Sequence, residues 1–450
     1  MKIPSQFWQN VRGIILVATA FWFCAETGAA FTVTSSADDG GANTLRSAIA
    51  GAALDPNIQF ALPSGSTIML TKGELLISMN MTITGPGATN LSIVNTNGRV
   101  FHIPTGVVTI SGLTMTGHYK APNGANGTIG HLDGYPGTGA FGGGILDESP
   151  DLLVVSNCFM INCWANGGNG GDAFNGESCS GPSLGNGGDG GYASGGALCH
   201  TTGDLILQGC TFLNNDVWAG NGGMGHDGGK GGNAGVVNEP LFANGAGAGG
   251  GAVEVEYGSA TFSLINCTFF YNYASGGHGG QGGNGWTNCI GAPSAGGAGG
   301  ASGTASGGAI YVIQGCNNCG NIACRGLDSC TVYYNWCQPH NGGPGGAGFA
   351  NGAPGAAGNP GTAYGCGLFF ENVGCLKMDN TIIAGSWASG GFVPVGPDVY
   401  VAGGGNITSL GWNFIGDATG SGGHWAITDT TFALTILPAA NLLSPSVTPR

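Results

Sequence analysis

Five aromatic residues stand at matching places along this chain: Trp164, Trp218, Tyr273, Trp336 and Trp387. The first four follow a short apolar segment and precede a glycine-rich run, and Trp387 follows the last, degenerate copy of that segment. Rings repeated at one place in a repeat form either a platform on which sugar rings stack or a set of plugs, each closing the base of its own glycine run. Cysteine recurs in the same manner. Cys158, Cys210, Cys267 and Cys330 each stand just before the second of two repeated motifs. Stacked one coil apart, they fall within disulfide reach, or they face inward as free thiols that behave as small apolar groups. Cys316, Cys319, Cys324 and Cys330 have spacing that would suit zinc, but in an exported chain such a cluster reads as a candidate disulfide staple. Cys163 and Cys337 at the entrances of glycine runs, and Cys179 and Cys289 within them, could tie those runs down.

Acid–base chemistry has less to work with. Glycan hydrolysis needs two clustered carboxylates. Asp147, Glu148 and Asp151 surround a turn, while Glu254 and Glu256 alternate on one strand and read as solvent-facing. Gly277-His278-Gly279 matches a triplet found in glycan hydrolases but has no partner acids nearby in the sequence. Asp38 and Asp39 lack the spacing of a dedicated calcium loop. The sequence therefore assigns no catalytic residue, no cofactor and no metal.

The elements that position these residues follow from composition and period. Glycine supplies 94 of 450 residues, far above the usual ~7%. Charged residues make up 8% and hydrophobic ones 42%, which excludes a charge-rich disordered chain and leaves apolar surface for a core. Residues 1–30 read as an export signal: Lys2 and Arg12 lead, Gly13 to Ala25 is apolar, and Gly28-Ala29-Ala30 offers small residues for cleavage. No later stretch is apolar enough to span a membrane. Without the signal the formal net charge is −15, from 8 basic and 23 acidic residues, which disfavours nucleic acid and anionic lipid.

Residues 31–117 read as a cap and the first coils. A short helix begins at Asn43 or Thr44, with Leu45, Ala48, Ile49 and Ala52 on one face. Three- to five-residue strands with apolar alternation follow, split by turns. Residues 118–400 hold the repeats. The first motif reads Gly142-Gly143-Gly144-Ile145, Gly195-Gly196-Ala197-Leu198, Gly250-Gly251-Ala252-Val253, Gly307-Gly308-Ala309-Ile310 and a degenerate Gly365-Cys366-Gly367-Leu368, with starts 53, 55, 57 and 58 residues apart. The second reads Phe159-Met160-Ile161-Asn162, Phe212-Leu213-Asn214-Asn215, Phe269-Phe270-Tyr271-Asn272 and Val332-Tyr333-Tyr334-Asn335. Phe and Ile should stack inward, and the asparagines suit turns or amide ladders. About 20 residues per repeat make the coil, and the rest is the glycine run. Within the runs, glycine pairs recur every third residue, as in Gly276 to Gly285 (GGHGGQGGNG). Three residues per turn is the polyproline II period, so the runs are either packed polyglycine helices or loose loops. Residues 401–450 hold the last coils and a loose tail. The fold class expected is all-β: a right-handed parallel β-helix with a capping helix and glycine-rich inserts.

The paired motifs, GGA with an aliphatic residue and Phe-x-x-Asn, resemble those of the chlamydial polymorphic outer-membrane proteins. The start TVTSSADDGGANTLRSAI, the segment Gly85 to Val94 and SLGWNFIGD, Ser409 to Asp417, resemble a wider group of exported bacterial right-handed β-helix proteins. The resemblance covers most of residues 31–417. It implies a β-helix passenger of a secreted or cell-surface adhesin, non-catalytic, whose partners are glycans or cell-surface and matrix proteins. Because the fold also hosts pectin-degrading enzymes, a polysaccharide lyase or hydrolase is the alternative, and a structural surface-coat component is a third.

Overall fold

A computed structural model describes residues 30–52, 56–174, 185–234, 247–285, 293–313, 326–371, 374–389, 395–403, 405–417 and 425–427. Residues 1–29 of the proposed signal, Cys179, Cys289, Cys316, Cys319, Cys324 and the tail from Leu437 lie outside the described residues.

The chain is nearly all β, with parallel strands stacked coil upon coil into long sheets. Thr44 caps the one described helix, Leu45–Ala50, accepting the Ser47 N–H, and the helix buries Leu45, Ala48 and Ile49. Asp38 does not wait for a cation. Its carboxylate takes Arg46 at 2.7 Å and the backbone N–H groups of Thr71 and Lys72.

Each coil repeats one itinerary. In the first full copy, Ile145–Asp147 and Leu152–Ser156 lie in the largest sheet, Phe159–Ile161 and Trp164–Asn166 in the next, and the glycine run follows. A short return strand starts the next copy at Ala193–Ser194, ahead of Leu198–Gln208. Inward residues stack in columns. Ile145, Leu198, Val253, Ile310, Leu368 and Val399 form one. Met160, Phe212, Phe269, Val332, Ile383 and Ile415 form another, in which the Phe212 and Phe269 rings stack at 4.7 Å. Met160, not Phe159, therefore fills the Phe212 column. The motifs align one residue away from where the sequence suggests, and a one-residue slip moves a side chain to the other face of a strand.

The corners explain the motifs. Gly142, Gly195, Gly250, Gly307 and Gly365 all hold left-handed backbone where the chain turns into the large sheet. A Cβ on Gly195 would stand 2.4 Å from the Leu198 carbonyl oxygen. At the opposite corner Asn215, Asn272 and Asn335 are fully buried. The Asn272 Oδ1 accepts both the N–H and the side-chain amide of Asn215, at 3.0 and 2.9 Å, and the Asn335 Oδ1 does the same for Asn272. Each amide also donates to a carbonyl of the coil before, so none of these three buried side chains is left without partners.

The glycine runs are ordered where described. Each sends an outgoing segment into one layer and a returning segment into a second. In Gly167-Gly168-Asn169 the three N–H groups have three destinations. Gly167 bonds Trp218 of the next outgoing segment, Gly168 bonds Thr138 in the returning layer, and Asn169 bonds the Asn123 side chain of the outgoing segment before it. The pattern repeats three residues later at Gly170, Gly171 and Asp172. It continues across coils, as in Gly232 to Gly223, Gly280 to Gly232 and Gly300 to Gly280. The glycine pair faces neighbouring backbone on both sides. A Cβ on Gly171 would lie 2.0 Å from the Ala125 carbonyl oxygen, and one on Gly188 2.1 Å from that of Tyr135. Where the third residue of a triplet is Asn or Asp, as at Asn169, Asp172, Asn186, Asp189 and Asn221, its side-chain oxygen accepts a backbone N–H of the next coil.

Candidate aromatic groove

The aromatic residues sit where each outgoing glycine segment leaves the coil. Strand pairing sets Trp164, Asp216, Tyr273, Trp336 and Trp387 in one register column, with His118 ahead of them. Trp218 is two residues further along, in the column of Lys120, Asn166, Ser275 and Gln338. The expected stripe of one ring per coil is thus broken in register at the second coil, where Asp216 takes the place. The Trp218 ring closes the gap. It meets Trp164 edge-on at 6.0 Å and Tyr273 edge-on at 6.2 Å. His118 stacks on Trp164 at 4.9 Å, Tyr273 meets Trp336 at 5.1 Å, and Trp336 stacks on Trp387 at 5.9 Å. The result is a continuous row of rings across six coils. The rings range from buried at Tyr273 to exposed at Trp387.

Beside the row lies a groove of ≈ 500 Å³, bounded by Trp218 and Tyr273 and by the roots of the glycine segments. Its rim is amide, hydroxyl and imidazole: Asn166, Asn221, Ser275, His278 and His340. The two imidazoles stand 3.9 Å apart, and Ser275 Oγ lies 3.1 Å from His340 Nε2. Burial and the neighbouring His278 push His340 down to about 4, so that ring is neutral at neutral pH. Lys120 is the only Lys or Arg among the groove's lining residues. Sequence spacing could not pair His278 with His340, because they are neighbours only through the packing of two glycine segments. Asp216 was equally silent. Its half-buried carboxylate has no side-chain partner among the described residues, and burial pushes it up to about 7.

The other candidate chemistry sorts differently. Cys158, Cys210, Cys267 and Cys330 do form an inward column, but as free thiols rather than disulfides. Each Sγ points to a carbonyl of the preceding coil: Ile110, Val155, Leu207 and Leu264 in turn. Parallel neighbours hold their Cβ atoms about 4.8 Å apart, wider than the ~3.8 Å a disulfide favours. Cys163 and Cys337 are also free and buried. Glu254 does not face solvent, and Glu256 is half-buried. Glu254 is fully buried, takes the Tyr192 hydroxyl at 3.1 Å, and is pushed well up by burial; Glu256 is pushed up to about 7 for the same reason. The return strands cover that face of the large sheet, which no single strand's alternation reveals. Asp147 is likewise buried, bonded to His200 Nδ1 at 2.6 Å. These carboxylates serve a second, polar core.

No protein-family model and no characterised protein sequence matches the chain. Among solved structures it is similar to ORF18 of Geobacillus virus E2, at 12% identity and a TM-score of 0.30, covering 91% of this chain and 65% of that one. It is also similar to the alginate lyase of Paenibacillus sp. strain FPU-7, at 13% identity and a TM-score of 0.28, covering 85% of this chain and 98% of that one. The chain thus spans just under two thirds of the viral protein's length. Likeness at this level carries no argument about function.

Proposed function

We propose that this is an exported, right-handed parallel β-helix carrying a slab of polyglycine II helices, and that its aromatic groove holds glycans without chemical turnover, as part of a secreted or cell-surface adhesive protein. The single observation behind the reading is the continuous ring row beside a groove rimmed by amides, hydroxyls and a neutral imidazole. Apolar ring faces with a few polar groups at the edge suit a polyol, which has CH faces and equatorial hydroxyls. The motif resemblance to chlamydial surface passengers supports the same reading, with cell-surface or matrix glycoproteins as the natural carriers of the sugar. The test is calorimetric titration of the protein with a panel of oligosaccharides, alongside Trp218→Ala and Trp336→Ala. Each ring is expected to contribute about 0.5–1.5 kcal/mol, so each variant should bind roughly 2- to 10-fold more weakly. Equal affinity in both variants sinks the proposal.

A carbohydrate-active enzyme is the second reading, and Asp216 is what favours it. A carboxyl held protonated up to about 7 beside aromatic rings has the ionisation of a general acid. Product formation from neutral or acidic polysaccharides, lost in Asp216→Asn, would establish this reading over the first.

A further inference from the structure

The corner next to the ring row carries backbone strain that the fold itself does not require. At this corner five successive coils each place one residue in left-handed backbone. The column reads Asn162, Asn214, Tyr271, Tyr334 and Gly385, with φ of 54°, 53°, 61°, 57° and 67°. Asparagine and glycine accept that conformation readily, whereas a bulky aromatic does not. Two coils nevertheless use tyrosine. Burial does not compensate, because Tyr271 remains 41% exposed. The same two coils are aromatic at the preceding outward position, Phe270 and Tyr333, where the other coils have Ile161, Leu213 and Ala384.

These four rings stack in two ranks along the coil axis. Phe270 lies on Tyr333 at 6.0 Å and Tyr271 on Tyr334 at 5.7 Å, with interplanar angles of 10° and 15°. The corner joins the groove row through Tyr271, which meets Trp336 edge-on at 4.5 Å. From the third to the fifth coil, the four adjoining columns of this surface contain no charged residue: Thr268, Thr331 and Ile382 flank the rings, and Tyr273, Trp336 and Trp387 continue them. Strain retained at exposed aromatic residues is a mark of a functional surface. The chain's net charge of −14 repels anionic polymers, and hydroxyls on three of the four rings set hydrogen-bonding groups beside each apolar face.

We propose that Phe270, Tyr271, Tyr333 and Tyr334 extend the aromatic groove into a binding face for a neutral polysaccharide, laid along the coil axis so that successive sugars meet successive coils. This rests on the glycan reading of the groove and names its ligand class as a neutral polymer rather than a short or acidic sugar.

The test replaces both tyrosines with the residue that the first two coils use, in Tyr271→Asn/Tyr334→Asn of the full chain. Binding is measured against soluble β-glucan and galactomannan, and against short oligosaccharides of the same sugars, with melting temperature and solution mass recorded for both proteins. The expected result is at least a tenfold loss of affinity for the polymer, little change for the oligosaccharide, and a melting temperature unchanged or raised. Unchanged polymer affinity overturns the proposal and leaves the groove reading intact. A lowered melting temperature overturns it too, since the rings are then structural. A wild-type dimer that the variant dissolves assigns the face to a second copy of the chain instead. If the wild type binds neither polymer nor oligosaccharide, the glycan reading itself falls, and this proposal with it.

Discussion

Replacing Asp216 with asparagine should make this protein more stable at neutral pH. The carboxylate is half-buried in the ring row, lacks a side-chain partner among the described residues, and is pushed by burial from an ordinary 3.8 up to about 7. The native state therefore keeps a proton that the unfolded chain releases. With a raised folded value, the contribution is fully present below about 3.8 and is lost as pH rises towards 7. At ~1.4 kcal/mol per pH unit the interval amounts to about 4 kcal/mol, and residual solvent contact lowers this to about 2–4 kcal/mol. Asparagine keeps the shape and removes the ionisation. For a chain of this size that gain is worth about 2–5 °C in melting temperature. Scanning calorimetry at pH 4 and pH 7.5 reads it directly. Asp216→Asn should match the wild type at pH 4 and exceed it at pH 7.5. A variant less stable at both values would mean that the carboxylate makes a favourable bond as an anion, and the reasoning would be wrong.

The glycine slab predicts a sharp contrast between neighbouring positions. Gly171→Ala drives a Cβ to 2.0 Å from a carbonyl oxygen and should cost about 1–3 kcal/mol or more, opening residues 167–173 to limited proteolysis. Asn186→Ala removes only the oxygen that caps the Lys230 N–H and should cost about 1 kcal/mol, with the run still protected; equal proteolysis of the two variants would argue against packed glycine segments. The cysteine column should be inert until the protein unfolds. Cys158, Cys163, Cys210, Cys267 and Cys330 are all buried, so no reagent reaches them in the folded chain, and alkylation read by mass spectrometry should label them only in denaturant, as free thiols; a crosslink between two of the column's members would refute the ladder.

Much of the architecture is legible in the sequence. The two motifs recur with nearly constant spacing, and their small, apolar and amide residues each have a single physical use in a stacked coil. Gly195 and its equivalents occupy a left-handed corner, Leu198 and Phe212 fill the interior, and Asn272 sits in an amide ladder. Thr44 capped the helix at the place its neighbours indicated. The one-residue shift at Met160 was not legible, because Phe159 and Met160 are both apolar and only the pairing decides which faces inward.

The candidate site divides along the same line. The types of its residues are local facts, and the recurrence of a ring before each glycine run marked the place. What the rings touch is a matter of register between segments some 50 residues apart, and no local pattern encodes that distance. Tertiary structure alone set Asp216 into the ring column, brought His278 to His340, turned Glu254 inward beneath a return strand, and placed Tyr271 against Trp336. The sequence by itself determined that glycine pairs every third residue leave the backbone free to bond on all sides. Only stacking decided which neighbours those bonds reach, because a polyglycine segment has no side chain to choose its partner, and the coil beneath chooses for it.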